Sequence, residues 1–230
     1  MSEHRGTNAS VRIPWVVGVS GASGTPYART VLLALLDAGE SVDLVVSRAA
    51  RLTILDETGV SFRDAHWRED LATWLGRAVA EPQVHYWTAG DLGAGPASGS
   101  YPTRGMVVVP ASTAGVAGIA LGLSKDLLQR AADVTVKERR PLVVVPREAP
   151  YTRATLQHLL LLHDAGAVVV PASPGFYGAP QSVQQLVDFV AAKALDALGV
   201  KHDLLSRWTG ELGAARRAAT GDGPRVGQGD

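Results

Sequence analysis

The chain has 230 residues, of which 46% are hydrophobic and 19% charged, as in a globular protein with a sizeable core. Its 22 basic and 22 acidic side chains balance, so no net charge favours a nucleic acid or an acidic membrane surface as partner. The absence of cysteine excludes disulfides, thiolate catalysis and cysteine-ligated metals, and no apolar run is long enough to span a bilayer. These features predict a soluble, cytoplasmic protein.

The first predicted elements surround a turn of small residues. Residues 1–12 are polar and predict a flexible leader, after which the apolar run 15–20 predicts a strand and the spacing at 27–38 a helix. The turn Gly21-Ala22-Ser23-Gly24 therefore brings backbone N–H groups and a helix N-terminus to one point, as in phosphate and nucleotide sites. A tight structural turn is the alternative, and this stretch alone does not decide between them.

The rest of the chain alternates valine-rich runs with helical patterns. Strands are predicted at residues 42–47, 84–87, 106–109, 142–145 and 168–170. Further helices are predicted at residues 49–58, 67–80, 114–121, 127–138, 152–164 and 183–198. Residues 91–103 lack an apolar period and predict a long loop. The pattern predicts one α/β domain at 13–208, a Rossmann-like, doubly wound and mostly parallel six-stranded sheet, followed by a disordered tail at 209–230.

Polar residues that follow the predicted strands are the candidates for a ligand site, because doubly wound sheets bind ligands at the carboxyl ends of their strands. They are Ser23, Ser47, Ser112, Thr113, Arg147, Glu148 and Tyr177. Helix capping is the alternative role for each serine and threonine. Glu148 beside Arg147 is either half of a structural ion pair or an acid/base group whose pKa depends on a bound phosphate. The histidines show no metal-binding spacing, so no metal site is predicted.

Several motifs together resemble the UbiX-type flavin prenyltransferases over about residues 13–208. The motifs are Gly21-Ala22-Ser23-Gly24, Glu57-Thr58, Pro96-Ala97-Ser98-Gly99-Ser100, Arg130-Ala131-Ala132-Asp133-Val134, Lys137-Glu138-Arg139-Arg140-Pro141-Leu142-Val143, Pro146-Arg147-Glu148-Ala149-Pro150 and Pro174-Gly175-Phe176-Tyr177. No single motif is specific to this family, but the order and spacing of all the motifs together are. The resemblance implies a metal-independent enzyme that joins a dimethylallyl group from dimethylallyl phosphate to N5 and C6 of reduced FMN. It further implies a homo-oligomer built from trimers and typically a dodecamer, whose prenylated FMN serves a UbiD-type decarboxylase, although the sequence does not decide between a trimer and a dodecamer.

The same resemblance assigns roles to individual residues. The residues implied to hold FMN are Gly21, Ala22, Ser23, Ser47, Ser112, Thr113 and Arg130. The residues implied to surround the donor phosphate are Lys137, Arg147, Glu148, Tyr177 and Lys193. The catalytic residues implied are Ser23, Glu57 and Glu148. Cations at the leaving phosphate stabilise charge that grows in the transition state, and the hydroxyl and carboxylates move protons.

Three positions depart from the family pattern. Leu92 stands where a tryptophan is common, Lys193 replaces an arginine, and Lys125-Asp126 replaces an asparagine pair. A lysine keeps the charge of arginine but loses its bidentate fork, which bears on substrate preference and rate. These departures leave a second hypothesis open, a catalytically silent FMN-binding subunit of a decarboxylase system. The sequence also leaves open whether the donor is a monophosphate or a diphosphate.

Overall fold

The computed structural model describes residues 12–176 and 179–205, which form a six-stranded, all-parallel sheet. The strands are β1 (Trp15–Val19), β2 (Val42–Val46), β3 (Val84–Thr88), β4 (Gly105–Ala111), β5 (Leu142–Pro146) and β6 (Val168–Val169). Their spatial order is β3-β2-β1-β4-β5-β6. The chain moves outward from β1 in both directions, so a crevice opens between β1 and β4. It lies where the strands end, at the side of the sheet here called the carboxyl edge; the side where the strands begin is the amino edge. The predicted doubly wound fold is confirmed.

The helices cover both faces of the sheet. They are α1 (Thr25–Asp37), α2 (Arg48–Thr58), α3 (Trp67–Leu75), α4 (Thr113–Ala120), α5 (Leu127–Lys137), α6 (Arg153–Asp164) and α7 (Val183–Leu198). The helix predicted at 67–80 ends earlier, because Gly76 adopts a φ of 73° and its N–H bonds back to the carbonyls of Ala72 and Thr73. Among the described residues, no helix is both long and apolar enough to cross a membrane.

The core has two layers, one on each face of the sheet. Val17 and Leu44 pack into the layer that contains α1 and α7, and Val16 and Met106 into the layer that contains α4 and α5. Every residue of β1, β2, β4 and β5 is buried. Burial on both faces explains why these strands are runs of valine without polar alternation.

Residues 89–104, here called the crossover loop, connect β3 to β4 without an α-helix. At the carboxyl edge, the Leu127 N–H at the start of α5 donates to Ala89 O (2.8 Å). At the amino edge, the Arg104 N–H donates to Pro14 O (2.9 Å). The long loop predicted from the sequence is therefore confirmed, and it runs along α5 with a short 3-10 turn at Gly95–Ala97.

Arg12 connects the start of the described chain to the sheet. Its Nη1 lies 2.5 Å from Oδ1 of Asp43, a side chain of β2 that is 0% exposed. Residues 1–11, 177–178 and 206–230 lie outside the described residues. The flexible leader and the disordered tail accordingly stay predictions.

Candidate active site

Three helix N-termini meet in a cleft of about 190 Å³ at the carboxyl edge of the sheet. Ser47 caps α2 by accepting from Ala50 N (3.1 Å), and Ser112 caps α4 by accepting from Gly115 N (3.2 Å). Asp126 caps α5, with its Oδ1 2.9 Å from Gln129 N. The positive ends of three helix dipoles favour an anion, and the hydroxyls suit a polyol chain. The cleft therefore fits the phosphate and ribityl chain of a flavin mononucleotide.

Ser20 and Gly21 bring the walls of this cleft together. The buried Ser20 hydroxyl donates to Pro110 O (2.9 Å) and accepts from Ser112 N (2.6 Å), which joins the ends of β1 and β4. A Cβ on Gly21 would lie 2.3 Å from the Cβ of Ala49, so only glycine allows this turn to approach α2.

The sequence analysis did not select three polar residues of the cleft, Arg48, Asp126 and Gln129. Arg48 directly follows the predicted site residue Ser47 and was therefore detectable by its position at a strand end. Asp126 was noted only as a departure from the family pattern. Of the residues predicted to bind flavin, Thr113 begins α4, and the buried Ala22 donates its N–H to Ser20 O (2.9 Å).

Glu57 is a residue of α2 whose carboxylate reaches the N-terminus of α1. It caps that helix, whose own N-cap residue makes no side-chain hydrogen bond. Its carboxylate accepts from Gly24 N and Thr25 N, both at 2.8 Å, and from the Thr25 hydroxyl at 2.6 Å. Burial opposes ionisation, but these bonds and one from the Ser23 hydroxyl hold the pKa of Glu57 below its usual range. The structure thus brings Ser23 to an ionised Glu57.

Arg147 and Glu148 lie at the same edge, directly after β5. Arg147 Nε donates to Ser23 O (3.0 Å), which connects the β5 end to the turn after β1. The exposed Glu148 carboxylate accepts from Ala149 N (3.0 Å), and no ion pair to it occurs within the part of the chain described. This geometry removes the structural ion pair with Arg147 as an explanation for Glu148.

Two tyrosines that the sequence analysis did not select lie close to these groups. Burial raises the pKa of Tyr27, with Arg147 lowering it and Glu57 raising it further. Burial also raises the pKa of Tyr151, and the neighbouring Glu148 adds to the rise. Both phenols therefore stay protonated at neutral pH. Tyr177, which was predicted to bind the donor phosphate, lies outside the described residues.

Lys137 does not lie at the carboxyl edge of the sheet in its own copy of the chain. It is the last residue of α5, so it lies about 16 Å along the helix axis from the Asp126 cap. Its Nζ is 2.7 Å from Glu138 Oε1, at the amino edge where β5 begins. Within one copy, the length of β5 lies between Lys137 and Arg147. This distance is longer than the flexible side chain of a lysine can span.

Lys193 also lies away from the cleft. α7 runs alongside α1: Gln184 near its start reaches the Thr30 hydroxyl (3.2 Å), and the residues after its end share a groove with Asp37. Lys193 is nine residues beyond Gln184, about 13 Å further toward the amino edge. Its Nζ lies 5.9 Å from the centre of the Phe189 ring. One copy of the chain therefore does not bring Lys193 to Arg147 and Glu148.

Arg130 lies one turn into α5 and faces the crossover loop. Its Nε donates to Ala97 O (3.1 Å), and its Nη1 lies 2.8 Å from Asp133 Oδ2. Leu92 of the same loop is 53% exposed, and the rings of Trp87 and Tyr101 contact each other edge to face at 6.5 Å. Across residues 12–176 and 179–205, no three His, Asp or Glu side chains are grouped to hold a metal ion.

Comparisons with known proteins identify the relatives of this chain. A family model described as Flavoprotein matches residues 1–195. The chain is 67% identical over 213 residues to "Flavin prenyltransferase UbiX" of Streptomyces coelicolor, covering 89% of this chain and 99% of the relative. A crystal structure of a UbiX protein in complex with FMN and dimethylallyl pyrophosphate is similar at a TM-score of 0.75 and 34% identity, over 87% of this chain and 100% of that one. The crystal structure of a dodecameric FMN-dependent UbiX-like decarboxylase from Escherichia coli O157:H7 is similar at a TM-score of 0.74 and 36% sequence identity. The match covers 86% of this chain and 100% of that one.

Proposed function

The chain belongs to the UbiX-type flavin prenyltransferases of the flavoprotein family, and we propose that it joins a dimethylallyl group to N5 and C6 of reduced FMN. One observation carries the assignment of residues. The anion-binding cleft lies at the same sheet edge as the Ser23–Glu57 pair and Arg147. A binding site and groups able to move protons thus converge on one point, as this reaction requires.

In this proposal the cleft holds FMN, the substrate that supplies the nucleophile, by its phosphate and ribityl chain. The hydroxyls of Ser47 and Ser112 and the N–H groups of the three capped helices bind these polar parts. Gly21, Ala22 and Thr113 contribute their backbones, because the turn after β1 and the start of α4 form two walls of the cleft. Arg130 contacts the flavin from the side of the crossover loop.

We further propose that the donor-phosphate site forms between copies of the chain. Arg147 and Glu148 contribute from the copy that holds FMN, whereas Lys137 and Lys193 contribute from neighbouring copies. Tyr177 is assigned to this site by the family resemblance alone. The distance along α5 supports this division, because no motion of a lysine side chain bridges it. Positive charges around the leaving phosphate stabilise the charge that grows there as the bond to the allylic carbon breaks. The E. coli neighbour is dodecameric, and we propose the same assembly here.

Three residues carry the proton transfers. The Ser23 hydroxyl lies close enough to Glu57 to lower its pKa, and in this relay the Ser23 oxygen accepts the proton that the flavin loses while Glu57 takes the proton released by Ser23. Glu148 is exposed and free of an ion pair within the described residues, which leaves it able to exchange a proton with the phosphate. We propose that the product serves a UbiD-type decarboxylase in the cytoplasm.

Anaerobic mass spectrometry tests the reaction. The purified chain is incubated with reduced FMN and either dimethylallyl monophosphate or diphosphate, and we expect the flavin to gain the mass of one prenyl unit. The donor that reacts faster decides between mono- and diphosphate. A flavin that is bound but unchanged with both donors would contradict the proposal and favour the silent FMN-binding subunit. Glu148→Gln is expected to abolish turnover while FMN binding persists.

Mixed oligomers test the division between copies. Glu148→Gln and Lys137→Gln are each expected to be inactive as pure proteins. If the two variants are dissociated, mixed equally and reassembled, about a quarter of the sites combine an intact Glu148 with an intact Lys137 from another copy. Activity should recover to that extent. No recovery, with reassembly verified by light scattering, would show that both residues act within one copy.

A further inference from the structure

We propose that Arg140 is a positioning residue for the donor-phosphate site: it holds the crossover loop in place beside Lys137. This inference rests on the proposed function, in which Lys137 reaches the phosphate bound by a neighbouring copy. Arg140 itself touches neither substrate and acts through the loop.

The guanidinium of Arg140 binds the crossover loop at three points. Its Nη2 donates to Gly99 O (2.8 Å), and its Nη1 donates to Tyr101 O (2.9 Å) and to the Thr103 hydroxyl (3.0 Å). All three acceptors lie within five consecutive residues, in a segment that has no helix or strand to define its shape. A single planar fork therefore connects both ends and the middle of residues 99–103.

The end of α5 determines where Arg140 points. Arg139 follows the helix with a φ of 55°, its N–H bonds to Val136 O (2.9 Å), and the Arg140 N–H bonds to Thr135 O (2.9 Å). This is the bonding pattern of a Schellman helix stop. It fixes the Arg140 backbone relative to Lys137, the last residue of α5, so the loop that Arg140 binds is fixed relative to Lys137 as well.

Gly99 shows how closely the loop approaches Lys137. A Cβ on Gly99 would lie 2.9 Å from Lys137 Nζ and 2.1 Å from Glu138 Oε1, so the loop backbone lies directly against this ion pair. The lysine stem is flexible, and in this structure the loop and Glu138 restrict where its ammonium can go. Release of residues 99–103 would remove one of these two restrictions.

The other anchors of the loop do not depend on Arg140. Arg130 holds Ala97 O, and the Tyr101 ring lies against Gly95, where a Cβ would be 2.8 Å from the ring. Burial, with the carboxylate of Asp43 close by, raises the pKa of Tyr101 to about 12, so its hydroxyl stays protonated. Loss of Arg140 should consequently loosen one segment while the fold and the cleft persist.

Arg140→Lys separates position from charge, because lysine keeps the charge but cannot serve three acceptors in one plane. In the assembled enzyme, we expect Arg140→Lys and Arg140→Gln both to raise KM for the dimethylallyl donor about tenfold. The dissociation constant for FMN, measured by fluorescence quenching, should stay unchanged. Arg139→Gln is the matched control, since it removes a neighbouring charge that does not bind the loop, and its KM should stay within about twofold of wild type.

Gly99→Ala leaves the Arg140 side chain in place but pushes the side-chain ends of Lys137 and Glu138 away from the loop, because the new Cβ would overlap both of them. It serves if Arg140→Gln fails to fold. Its donor KM should rise as in Arg140→Lys, and the double variant should be no worse than either single variant, because both changes act through the same contact. Wild-type kinetics for Arg140→Lys would overturn the inference, and so would equal losses of FMN and donor affinity. An inactive wild-type chain would instead refute the proposed function.

Discussion

Glu57 shows how one residue can serve both stability and chemistry. It belongs to α2, yet it caps α1, whose own N-cap residue, Gly24, has no side chain to do so. The bonds that lower its pKa keep it a carboxylate at neutral pH and make it a weaker base than an ordinary glutamate. A fixed anion beside Ser23 is what a proton acceptor at the end of a relay requires.

Glu57→Gln should therefore lose both contributions. We expect prenyl transfer to slow by about 10²-fold, and the free energy of unfolding to fall by about 1 kcal/mol, as for a lost cap. Since the folded-state pKa lies below the unfolded one, the carboxylate stabilises the fold above the unfolded value. This stabilisation is lost as the pH falls through the folded value. The stability difference between wild type and variant, from urea titrations, should shrink as the pH falls below about 4. Asp56→Asn, which changes the preceding carboxylate, should show neither effect.

Asp126 places a negative charge in the cleft that we propose for the FMN phosphate. Asparagine caps a helix as well as aspartate does, so Asp126→Asn should keep α5 intact. Removal of the charge is expected to tighten FMN binding about three- to tenfold, and Arg48→Gln, which removes a positive charge from the lining of the same cleft, to weaken it by a similar factor. Riboflavin, which lacks the phosphate, should bind both variants like wild type. Equal changes for FMN and riboflavin would place the phosphate elsewhere.

At the level of elements, the sequence predicted the strands well because burial on both faces demands continuous apolar runs. Helix ends were harder to predict, as α3 shows. Its polar continuation resembles a helix surface, and only the left-handed Gly76 ends it. The course of the crossover loop was not predictable, because Arg130 and Arg140 bind backbone carbonyls, which leave no trace in the pattern of side chains.

The stop at the end of α5 gives a prediction about stability. Arg139 adopts a left-handed conformation that strains a residue with a Cβ, so Arg139→Gly should raise the free energy of unfolding by about 1 kcal/mol. Gly59 ends α2 with a φ of 73° and has open space around it, so Gly59→Ala should lower the free energy by a similar amount. Equilibrium denaturation in urea measures both. A loss of stability in Arg139→Gly would mean that its side chain makes a stabilising contact between copies.

At the level of the whole molecule, the resemblance identified a set of site residues, and the fold separates that set into two groups. Ser23, Glu57 and Arg147 meet at the carboxyl edge, whereas Lys137 lies at the opposite end of α5. A motif records which residues a family shares but not which copy of the chain contributes each one. Which copy contributes each residue depends on where the fold places that residue.

α6 offers a surface through which copies can associate. Leu156 and Leu160 lie one turn apart on this helix and are 54% and 58% exposed, and Val168 of the short edge strand β6 is 44% exposed. Apolar surface of this kind is costly to leave in water and is typical of contacts within oligomers. Assembly would cover it, and assembly is also what would complete the donor-phosphate site.

Leu156→Glu combined with Leu160→Glu should therefore reduce the assembly and, with it, turnover. A carboxylate buried at an interface without a partner costs several kcal/mol, which is enough to dissociate most of the oligomer at micromolar concentration. Light scattering should report a smaller particle, and activity per chain should fall in proportion. FMN binding should persist, because the cleft at the carboxyl edge belongs to one copy.

Gln157→Glu adds a charge to the same helix without removing a leucine and should leave particle size and turnover unchanged. Full activity in dissociated chains would refute the shared site, and unchanged particle size would place the contact between copies elsewhere.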